Sequence, residues 1–359
     1  MKHINYLILV LFVVSLGLTS CEKDTIDTSG KYDNGIFVVN EGNWGQGNAS
    51  LSFIDKDFSG VENEVFYKTN EKHLGDVAQS INFSGDYAYI VVNASNTVEV
   101  AKRADMEFVV TIANGLFNPR YFETVNDSKA LVTCWGDPDD PEDDYLAVID
   151  TRNNVVTDKI SVELGPEKMV KNDEYLFIAH RGARSTNHKV TVYDLVLDEI
   201  KQVINVGDRP NSMVIKDQYL WVLCGGEPSW TGDETAGQLY KIDINNNFNI
   251  DTIYNFDVSE HPDLLNLDGD NLYYYLNGNV YKMNVNDAAL PSTAFFTYES
   301  DYYGAYNMET YNGKLYLTDP KDYVQEGEVI VFDLSNGNEI SRKTVGIIPG
   351  DLGFNVIDE

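Results

Sequence analysis

Short apolar segments bounded by Gly, Asn and Asp recur along the chain from residue 35 onward. Their Val, Ile, Leu and Tyr content favours β-strands, and a continuous apolar run indicates a strand that is buried on both faces. Six of these segments share one shape: "AYIVVN", "ALVTCW", "YLFIAH", "YLWVLC", "LYYYLN" and "KLYLTD". A seventh copy, "GIFVVN", lies at residues 35–40. The pattern predicts seven equivalent buried strands.

A Pro or Gly precedes each of these strands at a regular interval of 42 to 52 residues. The markers are Gly75, Pro119, Pro166, Pro210, Pro262, Gly304 and Pro349. An alternating strand such as "TVEVAK", "KVTVYD" or "EVIVFD" follows each buried strand, and a fourth strand such as "FVVTIA" follows that one. Four short antiparallel strands in each of seven repeats predict an all-β, seven-bladed β-propeller. A β-sandwich with a second domain does not explain the spacing.

The two ends of the chain divide one repeat between them. The leading segment "PGDLGFNV" begins at Pro349, whereas its buried strand "GIFVVN" begins at Gly35. We therefore expect residues 35–359 to form a propeller ring that strands from both chain ends close, which removes an open sheet edge.

The longest loops fall between the second and third strands of the repeats. They contain "NEGNWGQGNAS", "WGDPDDPEDDY", "HRGARSTNHK", "CGGEPSWTGDETAGQ" and "DPKDYVQEGE". In a propeller these loops lie on one face, together with the connections that lead into each new repeat. We call this the long-loop face. Long loops on one face and tight turns on the other predict a one-sided functional surface.

Three of the four tryptophans lie on this face, with other aromatic and cationic side chains. Exposed aromatic rings that cluster around a cavity mouth are typical of a binding site. His180 is included because it ends a second strand at the same face. The candidate ligand-binding residues are Trp44, Phe117, Arg120, Trp135, His180, Arg209, Trp230, Tyr302, Tyr303, Tyr306 and Tyr323.

The first residues have the features of a secretory signal. A basic start precedes "LILVLFVVSLGL", an apolar segment too short to span a bilayer. The "LTSC" that follows resembles a bacterial lipobox, which implies that residues 1–20 are removed and that Cys21 carries lipid. Residues 21–34 are polar and predict a flexible tether. The acidic "CEKD" segment also resembles a surface-export signal, so we expect an outer-membrane lipoprotein that faces the exterior.

The chain has 26 Lys and Arg against 57 Asp and Glu, a net charge of −31. This charge disfavours binding to nucleic acid or to anionic lipid surfaces other than through the anchor. Besides Cys21, only Cys134 and Cys224 are present, two repeats apart, and we expect both to be free and buried.

No pattern in the sequence indicates catalysis or a metal site. The four histidines beyond the signal, His73, His180, His188 and His261, lack metal-ligand spacing. The acidic run Asp137–Asp144 could supply calcium ligands, but it lacks the Gly and the final Glu of an EF-hand loop, so a solvated loop is the preferred interpretation. No nucleophile elbow, Walker loop or GxGxxG is present, although a carboxylate pair from different blades would leave no sequence signature.

The "VxVxD"-like third strands and the Pro-led repeats resemble those of the YVTN-type seven-bladed propellers. The lipobox followed by "GIFVVNEGNWGQGNASLSFID" and a sevenfold ring is similar to the surface lipoproteins of gut Bacteroidetes that bind vitamin B12. Those proteins pass the vitamin to a TonB-dependent outer-membrane transporter. The resemblance implies a class of ligand and partner, but no contact residue can be transferred from it.

These observations together predict a lipid-anchored, non-enzymatic protein without a cofactor that binds cobalamin or a related corrinoid as cargo. A corrinoid is a broad plate edged with amides, which suits a wide face with aromatic, Asn, Arg and Tyr groups. Three alternatives stay open: a glycan-binding lipoprotein, a propeller enzyme such as a lyase or lactonase, and a structural or adhesive surface protein.

Overall fold

A computed structural model describes residues 30–137 and 140–356. The expected signal, the lipidation at Cys21 and most of the expected tether lie outside these residues. In the described part of the chain, 28 strands form seven four-stranded antiparallel sheets. The predicted all-β, seven-bladed β-propeller is therefore confirmed. None of the helices among the described residues is long and apolar enough to cross a membrane.

Blades 1 and 2 contain the first seven strands and the only α-helix in the described residues. Blade 1 has β1 (Gly35–Asn40), β2 (Ser50–Asp55) and β3 (Val61–Glu62). The short helix α1 (Val65–Asn70) leads to blade 2. Blade 2 has β4 (Ala78–Ser84), β5 (Tyr87–Val92), β6 (Thr97–Lys102) and β7 (Phe108–Ile112).

Blades 3 to 5 each follow a simple order from the innermost to the outermost strand. Blade 3 has β8 (Pro119–Asn126), β9 (Lys129–Cys134), β10 (Tyr145–Asp150) and β11 (Val155–Ser161). Blade 4 has β12 (Pro166–Lys171), β13 (Tyr175–His180), β14 (Lys189–Asp194) and β15 (Glu199–Asn205). Blade 5 has β16 (Pro210–Lys216), β17 (Tyr219–Cys224), β18 (Gln238–Asp243) and β19 (Asn249–Asn255), with a 3₁₀ turn at Ser229–Thr231.

Blades 6 and 7 complete the repeats before the chain returns to blade 1. Blade 6 has β20 (Asp263–Asp268), β21 (Asn271–Leu276), β22 (Asn279–Asn284) and β23 (Phe296–Thr297). Blade 7 has β24 (Asn307–Tyr311), β25 (Lys314–Asp319), β26 (Glu326–Asp333) and β27 (Glu339–Ile347). The last strand, β28 (Pro349–Asn355), is the innermost strand of blade 1.

The pairing of β28 with β1 confirms that strands from both chain ends close the ring. Phe37 of β1 lies opposite Gly353 on one side and Phe53 on the other. A Cβ on Gly353 would lie 2.6 Å from Cγ2 of Ile81, so glycine permits the close approach of β28 to blade 2. The innermost strands of consecutive blades contact one another around the whole ring.

The core consists of seven apolar clusters in the described residues, one between each pair of adjacent blades. The second and third strands together supply most of their side chains because both faces of each sheet are covered. Burial of each Val, Leu, Ile or Phe stabilises the fold by about 1.5–3 kcal/mol. Cys134 and Cys224 are free and buried in two of these clusters, as predicted, and burial raises the pKa of the Cys134 thiol to about 12.

Candidate functional site

The long-loop face carries a group of aromatic rings on blades 1 and 7, which we call the aromatic crescent. Trp44 is 67% exposed and Tyr303 is 72% exposed. The ring of Tyr323 lies 5.1 Å from that of Tyr303 and 5.8 Å from that of Tyr306, measured between centroids. Tyr302 is also exposed beside them. The crescent is thus a group of partly exposed aromatic side chains on loops from both ends of the chain.

Polar contacts hold the Trp44 loop while its ring stays exposed. The side chain of Asn43 donates to the carbonyl of Tyr323 at 2.6 Å, and the amide of Gly45 donates to the Asp76 carboxylate at 2.8 Å. A Cβ on Gly42, whose φ is +72°, would lie 2.5 Å from Oδ1 of Asn48, so only glycine fits there. The loop therefore presents the Trp44 ring from a backbone fixed to blades 2 and 7.

The connection into blade 7 is fixed in a similar way. The carboxylate of Asp319 accepts hydrogen bonds from the hydroxyls of Tyr298, at 2.6 Å, and Ser300, at 2.7 Å. These bonds lie at the base of the segment that carries Tyr302 and Tyr303. The segment is anchored at its base, so its exposed rings need less ordering when they bind a ligand.

Next to the crescent, the propeller axis opens into a polar cavity of about 320 Å³, which we call the central funnel. Residues from all seven blades line it, and they include both cations and carboxylates. Those used below are Glu41, Arg120, Glu167, Lys168, Asp263 and Asn307. A second cavity of about 300 Å³ continues along the axis and shares Tyr121 and Lys168 with the funnel.

Arg120 joins the funnel to Trp135. Its guanidinium bonds to the Glu167 carboxylate at 3.1–3.3 Å and lies 4.1 Å from the centre of the Trp135 ring. Trp135 is half-buried, and its indole Nε1 is buried without a hydrogen-bond partner among the described residues. One face of the Trp135 ring therefore packs on Arg120, and a ligand contact of this residue stays a prediction for the remainder of the ring.

Glu41 and Asn307 face the funnel from the side of the crescent. The hydroxyl of Tyr306 donates to Oε1 of Glu41 at 2.9 Å, and burial raises the pKa of Glu41 to about 6 despite this bond. Asn307 is 2% exposed, and its Nδ2 has no partner among the described residues, although Lys168 donates to its Oδ1 at 3.3 Å. A ligand group that accepts a hydrogen bond would satisfy this buried donor.

A charged cluster lies deeper along the axis. Lys168 approaches Glu309 at 3.4 Å, and the amide of Ile81 donates to the Asp351 carboxylate at 3.0 Å. Burial raises the pKa of Asp351 to about 7, although the positive charge of Lys168 opposes the shift. The propeller axis therefore holds a carboxylate that titrates near neutral pH.

The structure places the side chain of His180 in the interior of the fold, not on the exposed surface of the long-loop face. The side chain is fully buried at the end of β13. Its Nδ1 lies 2.8 Å from the carbonyl of Glu163, and its Nε2 lies 2.8 Å from the hydroxyl of Thr191. Because Nδ1 faces a carbonyl it carries the proton, so Nε2 accepts from Thr191 and both nitrogens are used within the fold. Burial lowers the pKa of His180 to about 4, and the neutral ring is not available to a ligand.

The other predicted residues lie on the long-loop face but apart from the crescent. Phe117 is 42% exposed in the connection to blade 3. Trp230 is 78% exposed and lines a depression of about 580 Å³ together with Arg209. The structure therefore divides the predicted set between the crescent, the funnel and this depression.

Sequence reasoning missed several funnel residues that a regular position could have revealed. Each residue directly after a repeat-marking Pro lines the funnel: Arg120, Glu167, Asn211, Asp263 and Gly350. Of these, only Arg120 was among the candidates. The repeat that defines the blades also places one residue per blade at the axis.

In the described part of the chain, no group of three or more His, Cys, Asp or Glu side chains could hold a metal ion. In the acidic run, the Asp143 carboxylate accepts from the amide of Asp137 at 2.9 Å, and the buried Asp144 accepts from the amide of Gly165. Burial raises the pKa of Asp144 to about 7. These contacts fix the described residues of the acidic run. Residues 138–139 lie outside the described part of the chain.

The fold and the site define a seven-bladed β-propeller with a long-loop face around a polar axial funnel. The chain belongs to the family described as "Domain of unknown function (DUF5074)", which matches residues 34–346. No curated protein matches the chain.

Solved structures with the same architecture share little sequence with this chain. The periplasmic gluconolactonase PpgL of Pseudomonas aeruginosa is 13% identical with a TM-score of 0.65, over 89% of this chain and 98% of that one. Hydrazine synthase of Kuenenia stuttgartiensis is 16% identical with a TM-score of 0.61, over 80% and 90% of the two chains. The dihydro-heme d1 dehydrogenase NirN, in complex with DHE, is 12% identical with a TM-score of 0.59, over 92% and 76%. These likenesses show the fold alone.

Proposed function

We propose that the protein is a capture protein without enzymatic activity, which binds cobalamin or a related corrinoid on its long-loop face. In this proposal Cys21 anchors the chain by lipid to the outer membrane, facing the exterior. The bound corrinoid then passes to a TonB-dependent outer-membrane transporter. The anchor and the transporter rest on the sequence resemblance, whereas the ligand face also rests on geometry.

The observation that carries the proposal is the aromatic crescent beside the funnel. Trp44 and Tyr303 offer exposed ring surface, and the half-buried ring of Tyr323 lies 5.1 Å from that of Tyr303. A corrin ring is a broad plate with apolar methyl groups, which can pack on such rings. The hydrogen bonds of the Asn43 side chain and the Gly45 amide hold the Trp44 loop in place, and a preformed surface lowers the cost of binding.

The funnel supports the same class of ligand through its hydrogen-bonding groups. Corrinoids carry primary amides on their rim, and an amide both donates and accepts. The funnel offers Glu41 as an acceptor and the unpartnered Nδ2 of Asn307 as a donor within one cavity. Its cations and carboxylates are intermixed, so it does not require a strongly charged ligand. The net charge of −31 also does not oppose a neutral corrinoid.

The test is co-elution of cyanocobalamin with residues 22–359 on a sizing column, followed by visible absorbance. We expect the corrinoid to elute with the wild-type protein at micromolar concentration. The double variant Trp44→Ala/Tyr303→Ala removes two exposed rings and should weaken binding by at least about tenfold, since burial of such a ring contributes roughly 1–3 kcal/mol.

Tyr87→Ala is the matched control. Tyr87 is 38% exposed at the start of β5, on the face opposite the long loops, so this variant should bind like the wild type. Elution of all the colour at the small-molecule position would refute corrinoid binding. Equal losses in the double variant and in Tyr87→Ala would refute the assignment of the face.

A glycan is the second candidate, because the 78% exposed ring of Trp230 stands apart from the crescent. A single flat ring can stack on one sugar face. Retention of a polysaccharide that simple sugars displace, with no retention of cyanocobalamin, would select this function. Enzymatic alternatives have no specific support, since the likeness to the gluconolactonase concerns the fold only.

A further inference from the structure

Arginines gather at one part of the long-loop face although the chain is strongly acidic. Arg181, Arg184 and Arg209 lie on the loops of blade 4 and on the connection into blade 5. Arg181 and Arg184 have no carboxylate partner within 4 Å among residues 30–137 and 140–356. Arg209 has one, Glu227, with 3.7 Å between Nη1 and Oε2. Burial, and then the charge of Arg181, lower the pKa of Arg209, which indicates that these guanidinium groups repel each other.

A guanidinium group without a carboxylate partner, such as that of Arg184, favours an anion with planar or tetrahedral oxygens, such as a carboxylate or a phosphate. Arg184 and Arg209 both line the depression of about 580 Å³ beside Trp230, which we call the Trp230 depression. Thr186 and three carboxylates, those of Asp208, Glu227 and Asp233, lie in the same lining. Asp208 accepts from the Thr235 hydroxyl at 2.8 Å and Glu227 pairs with Arg209, so Arg184 is the cation of the depression that has no carboxylate partner in the described residues.

The same depression holds a carboxylate oxygen that lacks a hydrogen-bond donor. Glu227 is 8% exposed, and its Oε1 is buried without a hydrogen-bond partner among the described residues. Its backbone is fixed, because its amide donates to Thr235 Oγ1 at 2.9 Å and its carbonyl accepts from the Thr235 amide at 2.9 Å. A buried acceptor without a donor is costly, and a ligand hydroxyl would satisfy it.

A flat, rigid aromatic surface forms the rim. Trp230 lies in the 3₁₀ turn Ser229–Thr231, where the Thr231 hydroxyl donates to the Pro228 carbonyl at 2.7 Å. The amide of Thr231 donates to the same carbonyl at 3.0 Å. The turn fixes the backbone beneath the ring, so the exposed indole can stack on a planar ring of a ligand.

We propose that the Trp230 depression binds a nucleotide-like group, with its base on Trp230, a ribose hydroxyl at Glu227 and its phosphate at Arg184 and Arg209. This inference rests on the proposed function, because a complete corrinoid carries such a nucleotide tail. Cobinamide has the same corrin ring but lacks the base, the ribose and the phosphate. The depression therefore makes the protein selective for complete corrinoids.

The test compares the affinities for cyanocobalamin and dicyanocobinamide by calorimetric titration. In the wild type we expect cyanocobalamin to bind at least about tenfold more tightly, because its phosphate adds a charge-assisted hydrogen bond that cobinamide cannot make. Arg184→Gln should weaken cyanocobalamin about tenfold and leave cobinamide unchanged. Arg184 is exposed and has no ion pair in the described residues, so this change should not alter the fold.

Arg152→Gln is the matched control, because it removes the same charge from the turn between β10 and β11 on the opposite face. Arg152 is 71% exposed. Arg152→Gln should leave the affinities for cyanocobalamin and dicyanocobinamide unchanged. The inference is wrong if Arg184→Gln weakens both corrinoids equally, if it weakens neither, or if Arg152→Gln has the same effect.

A separate arm distinguishes this inference from the proposed function. If neither corrinoid binds, the proposed function fails, and adenosine 5′-monophosphate is then titrated with inorganic phosphate as the control probe. Saturable binding of the nucleotide that Arg184→Gln weakens would retain the depression as a nucleotide site. Absence of nucleotide binding, or equal binding of inorganic phosphate, would overturn it.

Discussion

At the scale of single residues, burial decides what each predicted side chain can do. His180 and Trp44 both lie near the long-loop face, yet His180 is fully buried and Trp44 is 67% exposed. The carbonyl of Glu163 and the hydroxyl of Thr191 form hydrogen bonds with the two ring nitrogens of His180. Trp44 lies in a loop whose backbone is fixed by Asn43 and Gly45, which leaves the ring free. Residue type alone did not distinguish these two environments.

The charged cluster on the propeller axis predicts a pH dependence of stability. The pKa of Asp351 is about 7 in the folded protein and ordinarily near 3.9 in an unfolded chain. Between these values the folded state binds more protons, so the Asp351 contribution to stability falls as the pH rises from about 4 to 7. Asp351→Asn removes this titration and keeps a side-chain oxygen to accept from the Ile81 amide.

We therefore expect Asp351→Asn to gain stability relative to the wild type as the pH rises from 5 to 8. The relative gain should be about 2–3 kcal/mol in the free energy of unfolding. Urea denaturation of both proteins at the two pH values measures it, and the pH dependence of the groups that do not interact with Asp351 cancels in the difference. A difference between the proteins that is constant with pH would show that Asp351 does not titrate in this range.

At the scale of elements, the strands could be predicted well and the loops could not. The bounds of β1, β6 and β14 coincide with the segments "GIFVVN", "TVEVAK" and "KVTVYD". Alternation and repeat spacing are local signals, and each blade repeats them. The Arg120–Trp135 contact joins strand β8 to a loop of the same blade, whereas the Asn43–Tyr323 bond joins residues 280 apart in sequence. The second contact follows from ring closure, which no local pattern encodes.

The closure of the ring depends on the last strand and on one buried amide. Asn355 is fully buried; its Nδ2 donates to the carbonyls of Tyr32, at 2.7 Å, and Arg103, at 3.1 Å. Its Oδ1 accepts from Nε of Arg103 at 2.7 Å. This single side chain joins the two ends of the chain to blade 2.

Asn355→Ala should lower the free energy of unfolding by about 2–4 kcal/mol, because it leaves Nε of the half-buried Arg103 and two carbonyls without this hydrogen-bond partner. Chemical denaturation measures this loss. The control is Asn286→Ala, which changes an exposed asparagine in a turn of blade 6 and should cost less than about 0.5 kcal/mol. Similar stabilities of the two variants would indicate that the ring closes without this amide.

At the scale of the whole molecule, the sevenfold repeat places the candidate site. Each repeat contributes buried strands to the ring and a residue to the axis, as Glu167, Asn211 and Asp263 show. The sequence repeat therefore predicted the fold and the face that carries the long loops. It could not predict which rings form the crescent or how the arginines gather beside Trp230. Those arrangements depend on loop conformations that differ from blade to blade.

The central claim is that the long-loop face captures a corrinoid. The most direct measurement is amide hydrogen exchange of the protein with and without saturating cyanocobalamin. We expect exchange to slow in residues 41–49, 298–306 and 319–326, while the turns of the opposite face at residues 56–60, 151–154 and 245–248 exchange at unchanged rates. Identical exchange with and without the ligand, or protection confined to the opposite face, would contradict the account.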